Sequence, residues 1–419
     1  MSQRIVIYGM NYAPEFTGVG RYTGEIGEHL ASIGHEVSVV TTAPHYPGWK
    51  AQDGYSAKTW FKETVAGATV FRCPLYLNVD MKGFRRLLAP LSFALTSAPV
   101  AFYQILKQRP DVVLAVEPTL FVAPMALLAG KLAGAKVVLH VQDLEIDAAF
   151  AVGHLRQGGL LAKLGAAFER VVMKGFDRVI TISHRMAEKI VEKGVKADRV
   201  EMIRNWVDVD RIRPLAGASP YRAEFGLTDK DFVVLYAGAI GAKQGVGLLI
   251  EVARLLVDRP EVVFVVAGDG PMRPALEEAA KSLLNLRVKP FQPEERFSDF
   301  LGLADLHVLP QERGAADLLL PSKLGGMLAS GRRILVTADA GTELALFLGD
   351  SCAFVPPGDA EAMAEAIARE AGTPADPDAG AARLQRAASL AKSTVIGRFV
   401  AAVTEWRVAQ AALVPNEKY

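Results

Sequence analysis

Short, wholly apolar runs alternate with amphipathic stretches along this chain, and they do so twice. In the first half, residues 5–8, 37–41, 112–116, 137–141 and 179–182 read as strands, with helical segments at 22–33, 124–132 and 160–174 between them. A strand without polar alternation is buried on both faces, which calls for a parallel sheet with helices on each side. The second half repeats the grammar. Residues 233–237, 262–267, 306–309 and 334–337 read as strands, and 247–256, 274–284 and 323–329 as helices. Two prolines in the stretch 211–220 mark the joint. The expectation is an α/β chain of two doubly wound Rossmann-like domains facing a central cleft, one over 1–213 and the other over 214–392. An Ala-rich helical stretch, roughly 381–412, ends the chain, and from about 393 to 419 it is expected to pack back on the first domain. In such sheets ligands bind outside the carboxyl ends of the strands.

A length of 419 residues with 51% apolar side chains suits two full cores and excludes global disorder. Cys73 and Cys352 are the only cysteines, which excludes a disulfide framework or a multi-cysteine metal site and fits a reducing cytoplasm. The net charge of +1 hides an asymmetry: 26 Lys+Arg against 20 Asp+Glu through Arg213, then 21 against 26. A basic first half suits an anionic surface or substrate, although ordinary scatter accounts for it equally well. No dense basic run with interleaved aromatics occurs, so nucleic-acid binding is not expected. The apolar run after Arg4 is too short for a signal peptide.

Residues 87–106 carry no charge for twenty positions, long enough to span a membrane. Pro90 and Pro99 interrupt the run, and Ser92, Thr96, Ser97 and Gln104 dilute it. Arg85 and Arg86 precede it, with Lys107 and Arg109 after it. Three readings stay open: a surface helix touching a membrane, a core helix, and a span. Peripheral contact is the working one.

Gly18-Val-Gly20 follows the first strand and opens a helix, where glycine lets backbone amides approach an anion. A dinucleotide is the rival ligand, and two features oppose it. Thr23 stands at the third position of G-x-G-x-x-G, and the second strand runs into Thr41-Thr-Ala-Pro44 without an acid for a ribose hydroxyl. A merely tight turn is the plain alternative. Asn11-Tyr-Ala-Pro-Glu-Phe-Thr-Gly-Val-Gly20 is followed by Gly34-His-Glu-Val-Ser-Val-Val-Thr41 and Thr42-Ala-Pro-His-Tyr-Pro-Gly-Trp49. Then come Leu139-His-Val-Gln-Asp143, Tyr236-Ala-Gly-Ala-Ile-Gly-Ala-Lys-Gln-Gly245 and Arg313-Gly-Ala-Ala-Asp-Leu-Leu-Leu-Pro-Ser-Lys323. In this order they resemble the signatures of GT-B retaining glycosyltransferases of family 4, and more closely the colanic-acid, exopolysaccharide-building branch. The likeness runs from about 4 to 354.

That resemblance implies a GT-B fold and transfer of a sugar from a nucleotide-sugar, GDP-sugar favoured over UDP-sugar, to a polyprenyl-diphosphate-linked saccharide. It places the enzyme in the cytoplasm, peripheral on the inner membrane. A departing diphosphate must be neutralised, and the sequence has no paired histidines at ligand spacing. Cationic side chains and backbone amides are therefore expected to do this without a metal or other cofactor. Lys243, in the turn that resembles the diphosphate contact, is the expected leaving-group cation. Gly18, Gly20, Gly238, Gly268, Gly270, Ser322 and Lys323 are further donor-binding candidates, and Phe291 is expected near the nucleobase. The family's two glutamates, eight positions apart, are missing. Matching on Pro-Ser-Lys puts Gly326 at the second, with Asp317 nearest the first, Glu312 a weaker candidate, and Glu343 a substitute for the ribose contact. His140, read as lying just past a buried strand, is expected to contact the donor sugar. Asp143 is to orient it or meet the acceptor, with Glu145 and Asp147 as runners-up. Acceptor binding falls to the first domain, at Glu15, His45 and Tyr46. The retaining course is front-face attack, with the leaving phosphate taking the nucleophile's proton. Two other readings stay open: a protein that binds sugar nucleotide or glycolipid without turnover, and a GT-B-fold sugar-nucleotide epimerase.

Overall fold

The computed structural model describes residues 2–16, 18–46, 48–78, 87–144, 160–241, 244–312 and 320–406. Lys243, Glu145, Asp147 and Asp317 lie outside the described residues, as do Arg85, Arg86 and the tail from 407. The chain forms two compact units, Met1–Arg204 with Ile396–Lys418, and Asn205–Val395.

The first unit is built on eight strands: β1 (Arg4–Tyr8), β2 (Glu36–Thr42), β3 (Phe61–Val65), β4 (Ala68–Cys73), β5 (Val112–Glu117), β6 (Lys136–Val141), β7 (Arg178–Thr181) and β8 (Val200–Met202). They lie in the order β3-β4-β2-β1-β5-β6-β7-β8, and every pairing is parallel except β3 with β4. Strand β5 is buried throughout, which is why its sequence shows no alternation. The covering helices are α1 (Gly18–Ser32), α2 (Leu88–Gln108), α3 (Ala123–Ala133), α4 (Leu160–Lys174) and α5 (His184–Glu192). Their ends follow from local chemistry. Ser183 caps α5, its hydroxyl accepting from the Met186 amide at 3.0 Å. Gly134, at φ +74°, closes α3 in the left-handed conformation.

The β3–β4 hairpin escaped the sequence reading. Strand β3 is half-exposed, β4 interrupts its apolar residues with Thr69 and Arg72, and the two-residue turn is Ala66-Gly67, both at positive φ (+46° and +84°). That is the twist a tight hairpin requires, but alanine in place of asparagine hides the signal.

The second unit holds six parallel strands, β9 (Phe232–Ala237), β10 (Val262–Ala267), β11 (Leu286–Lys289), β12 (Leu306–Leu309), β13 (Arg333–Thr337) and β14 (Ala353–Val355). Their order is β11-β10-β9-β12-β13-β14. Side chains alternate between two cores: Val233 and Leu235 of β9 join Val263 and Val265 of β10 on one face, and Val234 and Tyr236 join Phe264 and Val266 on the other. The main helices are α6 (Leu248–Leu255), α7 (Arg273–Ala280), α8 (Leu324–Ala329), α9 (Glu343–Leu348), α10 (Ala360–Ala371), α11 (Pro377–Ser389) and α12 (Lys392–Thr404).

The Ala-rich stretch read as continuous is broken between α11 and α12. There the Val207 amide donates to Leu390 O and its carbonyl accepts from the Lys392 amide, each at 2.8 Å. From Ile396 onward α12 belongs to the first unit. Arg178 donates to the Ala402 carbonyl near its end, and the Arg178 guanidinium lies 5.0 Å from the Trp406 ring centre.

Candidate active site

In an open parallel sheet the natural ligand position is where strand order reverses, because the two flanking loops part there. The first unit reverses at β1 and β5, the second at β9 and β12. Among the described candidates, Glu15 lies in the loop after β1 and Gly238 in the loop after β9, and each unit is described on its own.

In the first unit the loop after β1 is locked to the loop after β2. Glu15 is 3% exposed; its Oε1 accepts from the amides of His45 (2.9 Å) and Tyr46 (3.0 Å), and its Oε2 from Asn11 Nδ2 (2.9 Å). Arg72, on β4, makes a second lock. Its Nη2 donates to Ala13 O at 2.6 Å, Nη1 to Thr42 O at 2.9 Å and Nε to Glu63 at 2.6 Å. Glu15, expected to meet the acceptor, thus has its carboxylate engaged by the protein itself. His45 is equally buried, its Nδ1 3.0 Å from Ala43 O, while Tyr46 is half-buried.

The glycines of α1 serve the same packing. A Cβ at Gly20 would stand 2.1 Å from Glu15 Oε2, one at Gly24 2.8 Å from Ala13 Cβ, and one at Gly27 2.2 Å from the Tyr12 hydroxyl. Spaced at i, i+4 and i+7, they make one bare helix face on which residues 12–15 lie. Gly18, at φ +61°, sits with its Cβ position 3.3 Å from the Tyr46 ring. The close approach inferred from Gly18 and Gly20 is therefore an approach of protein to protein.

His140 stands inside β6, not past its end. It is 1% exposed, with its ring 4.6 Å from Phe399 of α12. Strand alternation aims it into the helix-covered face, and burial pushes its imidazole down to about 3, so it is neutral at physiological pH. Asp143, two residues beyond β6, is half-buried.

In the second unit the carboxyl ends of β9, β10 and β12 bring three segments together. Gly268 and Gly270, at φ +150° and +149°, follow β10; a Cβ on them would lie 1.8 Å from Gly238 O and 2.4 Å from Ile240 O. They thus press the β10 loop against the β9 loop, sealed by Ile240 N donating to Asp269 O at 2.8 Å and Met272 N to Ile240 O at 3.0 Å. Gly245 lies the same way against the backbone of Gln311, beyond β12. Lys323 completes the group. Its ammonium donates to the Tyr236 hydroxyl at 2.6 Å, lies 3.9 Å from the centre of that ring, and would be 3.2 Å from a Cβ at Gly238. Among the described residues no carboxylate pairs with it. The side chain is half-buried, yet its charged end is desolvated, which pushes the ammonium down to about 7.

Ser322 is exposed, and helix α8 starts at Leu324, one residue after Lys323 and two after the serine. Phe291, past β11, is 37% exposed. Glu343, 2% exposed, opens α9 behind the Thr342 cap in the segment following β13. Glu312 is exposed. At Gly326 a Cβ would point at Leu301 (3.0 Å), Ile212 and Phe297, so a glutamate there would enter the apolar core. Asn11, Arg72 and Tyr236 were not singled out from the sequence. The signal for Tyr236 was there, a phenol inside an otherwise apolar strand. Nothing local marks Arg72, whose partners are 9, 30 and 59 positions away. Among the described residues no three His, Cys, Asp or Glu side chains stand together as a metal site would require. The arrangement in the second unit, a desolvated cation beside glycine backbone at a sheet's switch point, is suited to a phosphate-bearing ligand.

Two family descriptions match the chain: the glycosyl transferase 4-like domain over residues 17–206, and glycosyl transferases group 1 over 231–371. Among individual proteins, it is 42% identical over 351 residues to the putative colanic acid biosynthesis glycosyl transferase WcaI of Escherichia coli K12, covering 81% of this chain and 84% of that one. Sucrose-phosphate synthase from Thermosynechococcus elongatus superimposes with a TM-score of 0.69 over 95% of this chain and 97% of its own, at 15% identity. HepE of Anabaena, solved in complex with UDP and glucose, does so with 0.65 over 95% and 98%, also at 15%. At such identities these structures speak for the GT-B fold alone.

Proposed function

Because the chain belongs to the glycosyltransferase family built from 4-like and group 1 domains, we propose that it moves a sugar, with retention, from a nucleotide-sugar to a lipid-linked saccharide in exopolysaccharide assembly. GDP-sugar is the favoured donor over UDP-sugar. The observation that carries the donor side is Lys323, a cation set beside Gly238 at the β9/β12 switch point. Front-face attack needs no enzymic nucleophile. It needs the negative charge growing on the leaving diphosphate to be met, and here that falls to Lys323, Lys243 and loop amides, without a metal ion. The proton of the acceptor hydroxyl passes to the leaving phosphate.

The acceptor side rests on the loops pinned by Glu15 and Arg72, and membrane contact rests on α2. By length and composition this helix could cross a membrane, and a third of its most apolar window is buried. Its buried side is mostly apolar (Ala89, Pro90, Phe93, Ala101 and Ile105), with Ser97 there meeting the Tyr8 hydroxyl (2.7 Å), while at its margins Thr96 donates to Pro74 O (2.5 Å) and Ser92 accepts from the Tyr76 amide (2.8 Å). Leu91 and Leu95 face out, 42% and 69% exposed. A helix that packs one apolar side on its own unit and leaves leucines on the other is suited to lie on a bilayer surface.

Thermal shift against GDP, UDP, dTDP and ADP tests the reading, since a ligand of the native state raises the melting point. A rise with one nucleotide, lost in Lys323→Ala, is expected. No rise with any of the four would refute the donor site. In a transfer assay, Lys243→Ala should lower turnover by about 10²-fold or more with the fold intact.

A further inference from the structure

We propose that Tyr236 is a positioning residue of the donor site, its hydroxyl stapling the two segments that receive the diphosphate. The proposal rests on the nucleotide reading above. Tyr236 is fully buried in β9, its ring packed with Val234, Phe264 and Val266. Its hydroxyl reaches past the strand end and donates to the Ala239 carbonyl at 2.5 Å. A carbonyl can only accept, so the single phenolic proton is committed there, and the oxygen turned toward Lys323 is an acceptor. The 2.6 Å bond from Lys323 Nζ fits that assignment. One oxygen therefore holds the loop after β9, which includes Gly238 at φ +140°, and the lysine that precedes α8.

The ammonium has three donors on a flexible stem. With one donor spent on Tyr236 and the ring face beneath it at 3.9 Å, the others are aimed before a ligand arrives. Ordering a lysine in advance removes that entropic loss from the binding step. Tyr236 touches no ligand on this reading; it acts through Lys323 and the β9 loop. Removing its hydroxyl should therefore weaken binding of the second phosphate and spare the rest of the nucleotide.

The test compares wild type, Tyr236→Phe, Lys323→Met and the double variant by calorimetry with GDP, GMP, UDP and UMP, with melting point as the folding control. Phenylalanine keeps the ring in the core, so the fold is retained. For whichever base binds wild type, Tyr236→Phe should lower the diphosphate-to-monophosphate affinity ratio about tenfold, the scale of one hydrogen bond to a charged group. The same change in the Lys323→Met background should add little, because the two act in one chain. An unchanged ratio overturns the proposal, as does equal weakening of monophosphate and diphosphate, which marks a packing role. Wild type that binds neither of these diphosphates, nor dTDP or ADP in the thermal shift, overturns the donor-site reading itself, a result distinct from failure of the Tyr236 variant alone.

Discussion

Glu15 shows how much a single buried carboxylate can organise. It accepts two backbone amides and one side-chain amide, so Glu15→Gln puts an NH₂ where Asn11 Nδ2 already donates. The expected loss is about 1–3 kcal/mol, the penalty of an unsatisfied buried donor, read as a lower urea midpoint. Gly20→Ala tests the same contact from the other side. Its methyl would lie 2.1 Å from the carboxylate, and overpacking of this kind costs about 1–3 kcal/mol. If Gly20 instead served a ligand, stability would hold and only binding would fall. The buried histidines make a pH prediction. Burial pushes both His140 and His307 down to about 3. Between that value and the ordinary range near 6.5 the unfolded chain binds the extra protons, so stability should fall as pH drops from about 6.5 toward 3 and be complete above it. Each contributes at most about 1.4 kcal/mol per pH unit. His140→Leu should flatten that slope in denaturation curves taken from pH 7 to 4, and an unaltered slope would contradict the burial of this imidazole.

At the scale of elements, α2 packs one side, Phe93, Ser97, Ala101 and Ile105, into its unit and leaves Leu91 and Leu95 in water on the other. Replacing Leu91 and Leu95 together by serine should leave the melting point within a degree or two, because both are exposed, while co-sedimentation with anionic vesicles drops several-fold. Undiminished sedimentation would remove α2 from the membrane contact. Helix α1 is pared down to glycine on one side so that residues 12–15 can lie against it. A glycine-rich opening after a first strand is easily read as a phosphate loop. Here the missing Cβ atoms are accounted for by Glu15, Ala13 and Tyr12, and no local pattern distinguishes the two uses.

Across the whole molecule the chain crosses units twice, once near Arg204 and again along α12. The return is anchored by Phe399 on His140, by Arg178 on the Ala402 carbonyl, and by Gln3 Nε2 on the Thr404 carbonyl at 3.2 Å. Phe399 is 1% exposed, and Phe399→Ala should cost about 3–5 kcal/mol as a buried aromatic truncation. Amide exchange should place that loss in β6 and β7. Equal protection in those strands would show that α12 adds no stability to the first unit.

The amino-acid order determined both parallel sheets. Runs such as Val262–Ala267 have no polar position to leave in water, and a strand buried on two faces admits few other architectures. It also carried the family likeness, the location of Gly238 at a strand end and that of Lys323 at the start of a helix. Tertiary structure decided what the individual side chains do. Whether His140 is sealed from water depends on α12, some 260 residues later. Whether Glu15 is free for a ligand depends on amides 30 positions away. That Gly326 faces Leu301 rather than a ribose depends on how α8 packs. Burial is a property of what arrives from elsewhere in the chain, and a carboxylate, imidazole or ammonium acquires its charge state and its partner only once those neighbours are in place.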